Sequence, residues 1–145
     1  MPGIVVGVDG SPNSERALDW AMRQAAAVHA PLTVIAEHEV PKSYWGGIPV
    51  TGPADKPLRE KLQQSAEAMT DKAASRLGGA GPASVSVHAV NGFVVKELVD
   101  ASQDADRVVV GARGGGAFSR LLTGSVSSDV VQHSACPVVI VPHGR

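Results

Sequence analysis

Three short runs of β-branched residues constrain this chain most: Ile4-Val5-Val6-Gly7-Val8, Val108-Val109-Val110 and Val138-Val139-Ile140-Val141. None alternates apolar with polar positions, so each reads as a strand covered on both faces, the state of central strands in a parallel sheet. Leu32-Thr33-Val34-Ile35-Ala36 is nearly as apolar and adds a fourth. Ser84-Val85-Ser86-Val87-His88-Ala89 does alternate. That is the mark of a strand with one wet face, and it belongs at a sheet edge.

Helical spacing fills the intervals. Ser11 is placed to cap, and Pro12 to open, a helix whose apolar face is Ala17, Leu18, Ala21, Met22 and Ala25. Leu58, Leu62, Ala66, Met69, Ala73 and Leu77 recur at helical spacing until Gly78-Gly79 stops the helix. A third helix runs from about Val94 to Ser102, with Leu98 and Val99 inward and Lys96, Glu97 and Asp100 outward. A fourth starts near Gly124-Ser125 and carries Val126, Val130 and Val131.

The order β-α-β-α-β-α-β-α-β predicts an α/β fold. It is a single doubly wound domain over residues 1–145, a five-stranded parallel sheet with right-handed crossovers and helices on both faces. Two strand orders suit it, 2-1-3-4-5 and 3-2-1-4-5, and an edge position for the alternating strand selects 3-2-1-4-5. This order leaves Pro137 to Val141 at the opposite edge. An uncovered apolar edge strand is an aggregation hazard, so a homodimer through that strand is expected.

Composition narrows the partners. With 13 Lys+Arg against 14 Asp+Glu the net charge is -1, so no field draws the chain to nucleic acid or to an anionic membrane. No run approaches the ~18 apolar residues of a membrane span. Trp20, Tyr44, Trp45, Phe93 and Phe118 are too scattered to form a base-stacking platform. Neither nucleic acid nor a membrane is therefore an expected partner. The one cysteine, Cys136, excludes an intrachain disulfide and suits a reducing cytoplasm. His38 and His133 have no second histidine at metal spacing. Residues 41–57 lack periodicity and hold Tyr44 and Trp45, so they read as a linker or as a lid.

In an open α/β sheet, ligands bind beyond the carboxyl ends of the strands, where the winding reverses. Here that is between the first and fourth strands, at Asp9 and at Gly111-Ala112-Arg113-Gly114-Gly115-Gly116. Glycines let a ligand approach main-chain N–H groups, and Gly124-Ser125 opens a helix whose N-terminus favours phosphate. On composition alone the same stretch also reads as a glycine-rich turn followed by a serine N-cap, with Asp9 as a turn residue. The P-loop, G-x-S-x-G and H-E-x-x-H motifs are absent, and the first turn, Gly7-Val8-Asp9-Gly10-Ser11, is not G-x-G-x-x-G.

Gly111, Gly114, Gly124 and Ser125 fit the spacing G-x2-G-x9-G-[ST]. Together with Val5 to Ser11, Val108 to Gly114, Leu122 to Val126 and Cys136 to Pro142, this resembles the universal stress protein family, in its ATP-binding group, over nearly the whole chain. The resemblance implies a nucleotide-binding domain that takes ATP, with or without Mg²⁺. Its implied site begins with Gly7, Val8 and Asp9, where Asp9 meets the base or ribose, and continues with the backbone of Ala36 and Glu37 at the adenine edge. Val110, Gly111, Arg113 and Gly114 would lie beside the ribose and first phosphate, and Gly124, Ser125 and Val126 would hold the outer phosphates. The resemblance also implies pairing of last strands across a dimer and a role in stress response as a cytoplasmic regulator or sensor. No residue offers itself as the base that hydrolysis requires, so binding with slow or no turnover is expected. A weak ATPase or phosphotransfer protein and a binder of cyclic AMP are the alternatives.

Overall fold

The computed structural model describes residues 3–38, 56–91, 94–112 and 124–142. Among them the elements alternate as β1 (Gly3–Val8), α1 (Pro12–Val28), β2 (Pro31–His38), α2 (Lys56–Leu77), β3 (Ser84–Asn91), α3 (Val94–Ser102), β4 (Ala105–Gly111), α4 (Gly124–His133) and β5 (Val138–Val141). The strands lie in the order β3-β2-β1-β4-β5, and every neighbouring pair is parallel. This is the predicted 3-2-1-4-5 sheet. Tyr44, Trp45 and the rest of residues 39–55 lie outside the described residues, and α2 already begins at Lys56.

The pleat sorts side chains between two cores. Ile4, Val6 and Val8 of β1, with Leu32, Val34 and Ala36 of β2, pack under α1 and α2 against Leu18, Met22, Leu62 and Met69. The intervening Val5 and Ile35, joined by Val108 and Val110 of β4, pack under α3 and α4 against Leu98 and Val130. β1 and β4 are thus apolar on both faces because a helical layer covers each, as their unbroken β-branched runs imply. On β3, Val87 and Ala89 face the α1–α2 core while Ser84, Ser86 and His88 are exposed. One wet face is what its alternation anticipated.

Helix ends follow their residue chemistry. Ser11 caps α1 by accepting the Ser14 N–H, and Pro12 stands at the first helical position, where the missing N–H is not needed. Gly78 and Gly79 follow α2 with φ of 58° and 136°, backbone that glycine adopts without a Cβ penalty. Gly7 serves packing between layers, since a Cβ there would stand 3.1 Å from Cδ1 of Leu98.

The inward assignment of Val99 is corrected. In α3 it is Val95, Leu98 and Ala101, spaced three apart, that pack on the sheet. Val99, one position beyond Leu98, is rotated off that face and only half-buried. In α4, Val130 is fully buried while Val131 is 51% exposed. No helix among the described residues is long and apolar enough to cross a membrane.

Candidate functional site

The sheet splits at its carboxyl end. β1 stays paired with β2 as far as Val8 opposite Ala36, but its last partner pair with β4 is Val6 opposite Val109. Past that point, among the described residues, Val110 and Gly111 pair only with Ile140 and Val141 of β5. A crevice therefore opens between β1 and β4, where the connections change from the α1–α2 face to the α3–α4 face. β2 forms one wall. Ala36 is still inside the ladder on both sides, whereas Glu37 and His38 extend past β1 and, among the described residues, pair only with Val90 and Asn91 of β3.

Asp9 stands at the head of the crevice and is 4% exposed. Its Oδ1 accepts the Ser11 N–H at 2.9 Å, a tight turn that Gly10 makes possible with φ of 86°. Ser11 and Ser14 then satisfy each other, with Ser11 Oγ accepting from the Ser14 N–H and Ser14 Oγ donating to the Ser11 carbonyl. The turn is complete with one carboxylate oxygen. The other, Oδ2, is buried and has no hydrogen-bond partner among the described residues. A buried acceptor left unpaired costs about 1–3 kcal/mol, more when charged, so this atom suits a ligand that brings an N–H or O–H. A phosphate oxygen, which has the same sign of charge, does not suit it.

The opposite wall is fastened by a residue that sequence reasoning missed. Asn13, in the first turn of α1, donates from Nδ2 to the Ala112 carbonyl at 2.9 Å. Ala112 in turn donates its N–H to the Val141 carbonyl at 2.8 Å. Gly111 fits beneath this contact only as glycine, because a Cβ there would stand 2.9 Å from the Asn13 backbone oxygen. No local spacing reveals Asn13, since its partner is 99 positions away.

The side chains of Val8 and Val110 are fully buried, in the α1–α2 and α3–α4 cores respectively, so only their backbone is free to line the crevice. Gly124, Ser125 and Val126 form the first turn of α4, which follows β4 and so begins at the carboxyl edge of the sheet. Arg113 and Gly114 lie outside the described residues. Among the described residues no three of His, Cys, Asp and Glu are grouped as a metal site. Away from the crevice, a depression of about 140 Å³ lies beside α1 and the last turn of α2, lined by Asp19, Arg23, Ala73, Arg76 and Leu77. Arg76 bonds Asp19 there at 2.7 Å, and that hydrogen bond raises its pKa above the ordinary arginine value.

Comparison with known proteins agrees with this architecture. Residues 2–142 match the model of the universal stress protein family. The chain belongs to that family. A universal stress protein of Mycolicibacterium smegmatis is 34% identical over 142 residues, which cover 98% of this chain and 48% of that protein. One of Mycobacterium tuberculosis H37Rv is 35% identical over 142 residues, covering 96% and 47%. This universal stress protein domain therefore spans about half the length of those curated relatives. Among solved structures, a universal stress protein in complex with cAMP is 27% identical with a TM-score of 0.65, over 99% of this chain and 98% of that one. The universal stress protein from Archaeoglobus fulgidus in complex with dAMP is 25% identical with a TM-score of 0.63, over 97% and 98%.

Proposed function

We propose that this universal stress protein domain binds an adenine nucleotide in the β1–β4 crevice and that the nucleotide is ATP, with or without Mg²⁺. The observation that carries the reading is the unpartnered Oδ2 of buried Asp9. A ribose hydroxyl or the adenine amino group supplies the donor it lacks, and its charge turns the phosphates away, which sets the polarity of the ligand. The nucleoside then lies over Gly7, Val8 and Asp9, with the adenine edge at the backbone of Ala36 and Glu37. Of these two, Glu37 is the one that runs past β1. Val110, Gly111, Arg113 and Gly114 flank the ribose and first phosphate. Gly124, Ser125 and Val126 take the outer phosphates on the unpaired N–H groups of a helix start.

Binding rather than turnover is the role. The sequence offers no residue as the base that hydrolysis requires, so the nucleotide acts as a signal whose occupancy shifts partner affinity. The domain works as a cytoplasmic, dimeric stress-response regulator, with β5 as the dimer edge. Support for that edge is the exposure of Ile140, 43%, on a strand that among the described residues pairs only with β4. A second reading, cyclic AMP as the ligand, is favoured by the neighbour solved with cAMP.

Mass spectrometry of ligand released from freshly purified protein, followed by calorimetric titration with ATP, AMP and cyclic AMP, tests both. ATP is expected to bind tightest because only it engages the α4 terminus with a full phosphate chain. Tighter binding of cyclic AMP selects the second reading, and no binding of any adenine nucleotide overturns both. Release of ADP over time with Mg²⁺ would replace the sensor role with that of a slow ATPase.

A further inference from the structure

The two edges of the sheet are not equivalent. β5 is apolar along its length, whereas among the described residues the backbone of β3 is hydrogen-bonded by a side chain of α2, that of Gln63. Its Nε2 donates to the Val87 carbonyl at 2.7 Å, and its Oε1 accepts the Ala89 N–H at 2.8 Å. The second hydrogen on Nε2 goes to Glu67 Oε2, 3.0 Å away and one turn along α2. A carbonyl can only accept and an N–H can only donate, so these partners fix which end of the amide is oxygen.

The pattern has a specific meaning. In a parallel ladder, the residue opposite position i donates its N–H to the carbonyl of i−1 and accepts from the N–H of i+1. Gln63 makes that pair of bonds around His88. We infer that the Gln63 amide stands in for one residue of a sixth parallel strand, closing the β3 edge to strand addition and confining strand-mediated association to β5. The need is physical. β3 carries Val85 at 42% exposure, and an edge strand with unpaired backbone groups is a template for a second chain. Occupying the Val87 and Ala89 groups in mid-strand breaks that template into pieces too short to pair. The closing of the β3 edge does not depend on the nucleotide, so failure of nucleotide binding leaves it standing, whereas the second half of the inference rests on the proposed β5 dimer edge.

Amide hydrogen exchange on the intact chain tests it. In the wild type, Ala89 N–H is expected to exchange about tenfold more slowly than the Val85 and Val87 N–H groups on the same edge, the protection that one hydrogen bond confers. In Gln63→Leu, which keeps most of the bulk and loses both bonds to β3, Ala89 is expected to exchange at the rate of Val87 while Val34 in β2 stays protected. The variant is also expected to gain concentration-dependent association in sedimentation, reversed by adding Val85→Lys. Equal exchange of Ala89 and Val87 in the wild type overturns the inference, and this measurement needs no variant to fold. A folded Gln63→Leu that sediments like the wild type at every concentration overturns it as well.

Discussion

Asn13 and Ala112 are 99 positions apart in the chain, yet the Asn13 side-chain amide holds the Ala112 carbonyl at 2.9 Å. This bond joins the first turn of α1 to the residue that leads out of β4. The two walls of the crevice are thereby fastened at the point where β1 and β4 stop pairing. Replacing Asn13 with Ala is expected to lower stability by about 1 kcal/mol, the usual net value of one hydrogen bond, and Tm by a few degrees. If the crevice binds ATP as proposed, its affinity is expected to fall as well, because the chain leaving β4 at Ala112 loses its bond to α1. Thermal unfolding and calorimetric titration of the same preparation check the two together. Full affinity in a destabilised Asn13→Ala would mean that the bond serves the fold alone.

Asp9 separates stability from binding in the opposite sense. In Asp9→Ala the Ser11 N–H loses its acceptor, which destabilises the turn, but an unpartnered buried carboxylate oxygen is removed at the same time. These effects oppose each other, so Tm is expected to move little. A nucleotide bound as proposed, in contrast, is expected to lose a charge-assisted hydrogen bond, worth about 1.5–3 kcal/mol, or roughly ten- to a hundredfold in Kd. Titration of ATP into Asp9→Ala reads this directly. Unchanged affinity would take Asp9 out of the site and leave it as a turn residue.

How much of this was legible in the sequence depended on how local the signal was. Strand order followed from one observation, the alternation of Ser84 to Ala89, because a half-wet strand has no place in the middle of a doubly wound sheet. Capping by Ser11 and Pro12 followed from neighbouring residues. Val99 misled because two adjacent apolar residues on a short helix do not say which one faces inward until the sheet is in place. Asn13 and Gln63 carried no signal at all. Each bonds backbone in or just past a strand distant in sequence, and polar residues at those positions read simply as solvated helix surface.

The C-terminal end of α1 offers a stability test unconnected with the site. His29 ends the helix in left-handed backbone, φ 52° and ψ 47°, with its N–H bonded to the carbonyls of Ala25 and Ala26. A side chain in that conformation costs about 1–2 kcal/mol, while glycine there gives back roughly 0.5–1 kcal/mol through the entropy of the unfolded chain. His29→Gly is therefore expected to be the more stable protein by about 0.5 kcal/mol, a shift of a degree or two in Tm by calorimetry. A lower Tm would show that the His29 ring contributes more than its backbone conformation costs.

The dimer edge calls for a variant chosen with the packing in view. Val139 packs against the α1–α2 core, so a charge there would damage the protomer along with any interface. Ile140, its neighbour on β5, faces the other side of the sheet and is 43% exposed, so Ile140→Lys is expected to leave the protomer folded. If β5 is the dimer edge, burying an unpaired lysine there is costly enough to shift the population to monomer. Sedimentation velocity should then give half the wild-type mass, with an unchanged far-UV circular dichroism spectrum. Combining Ile140→Lys with Gln63→Leu sharpens the result. The double variant is expected to associate again, through β3, and Val85→Lys should abolish that association. If Ile140→Lys alone keeps the wild-type mass, β5 is not the edge that joins two copies.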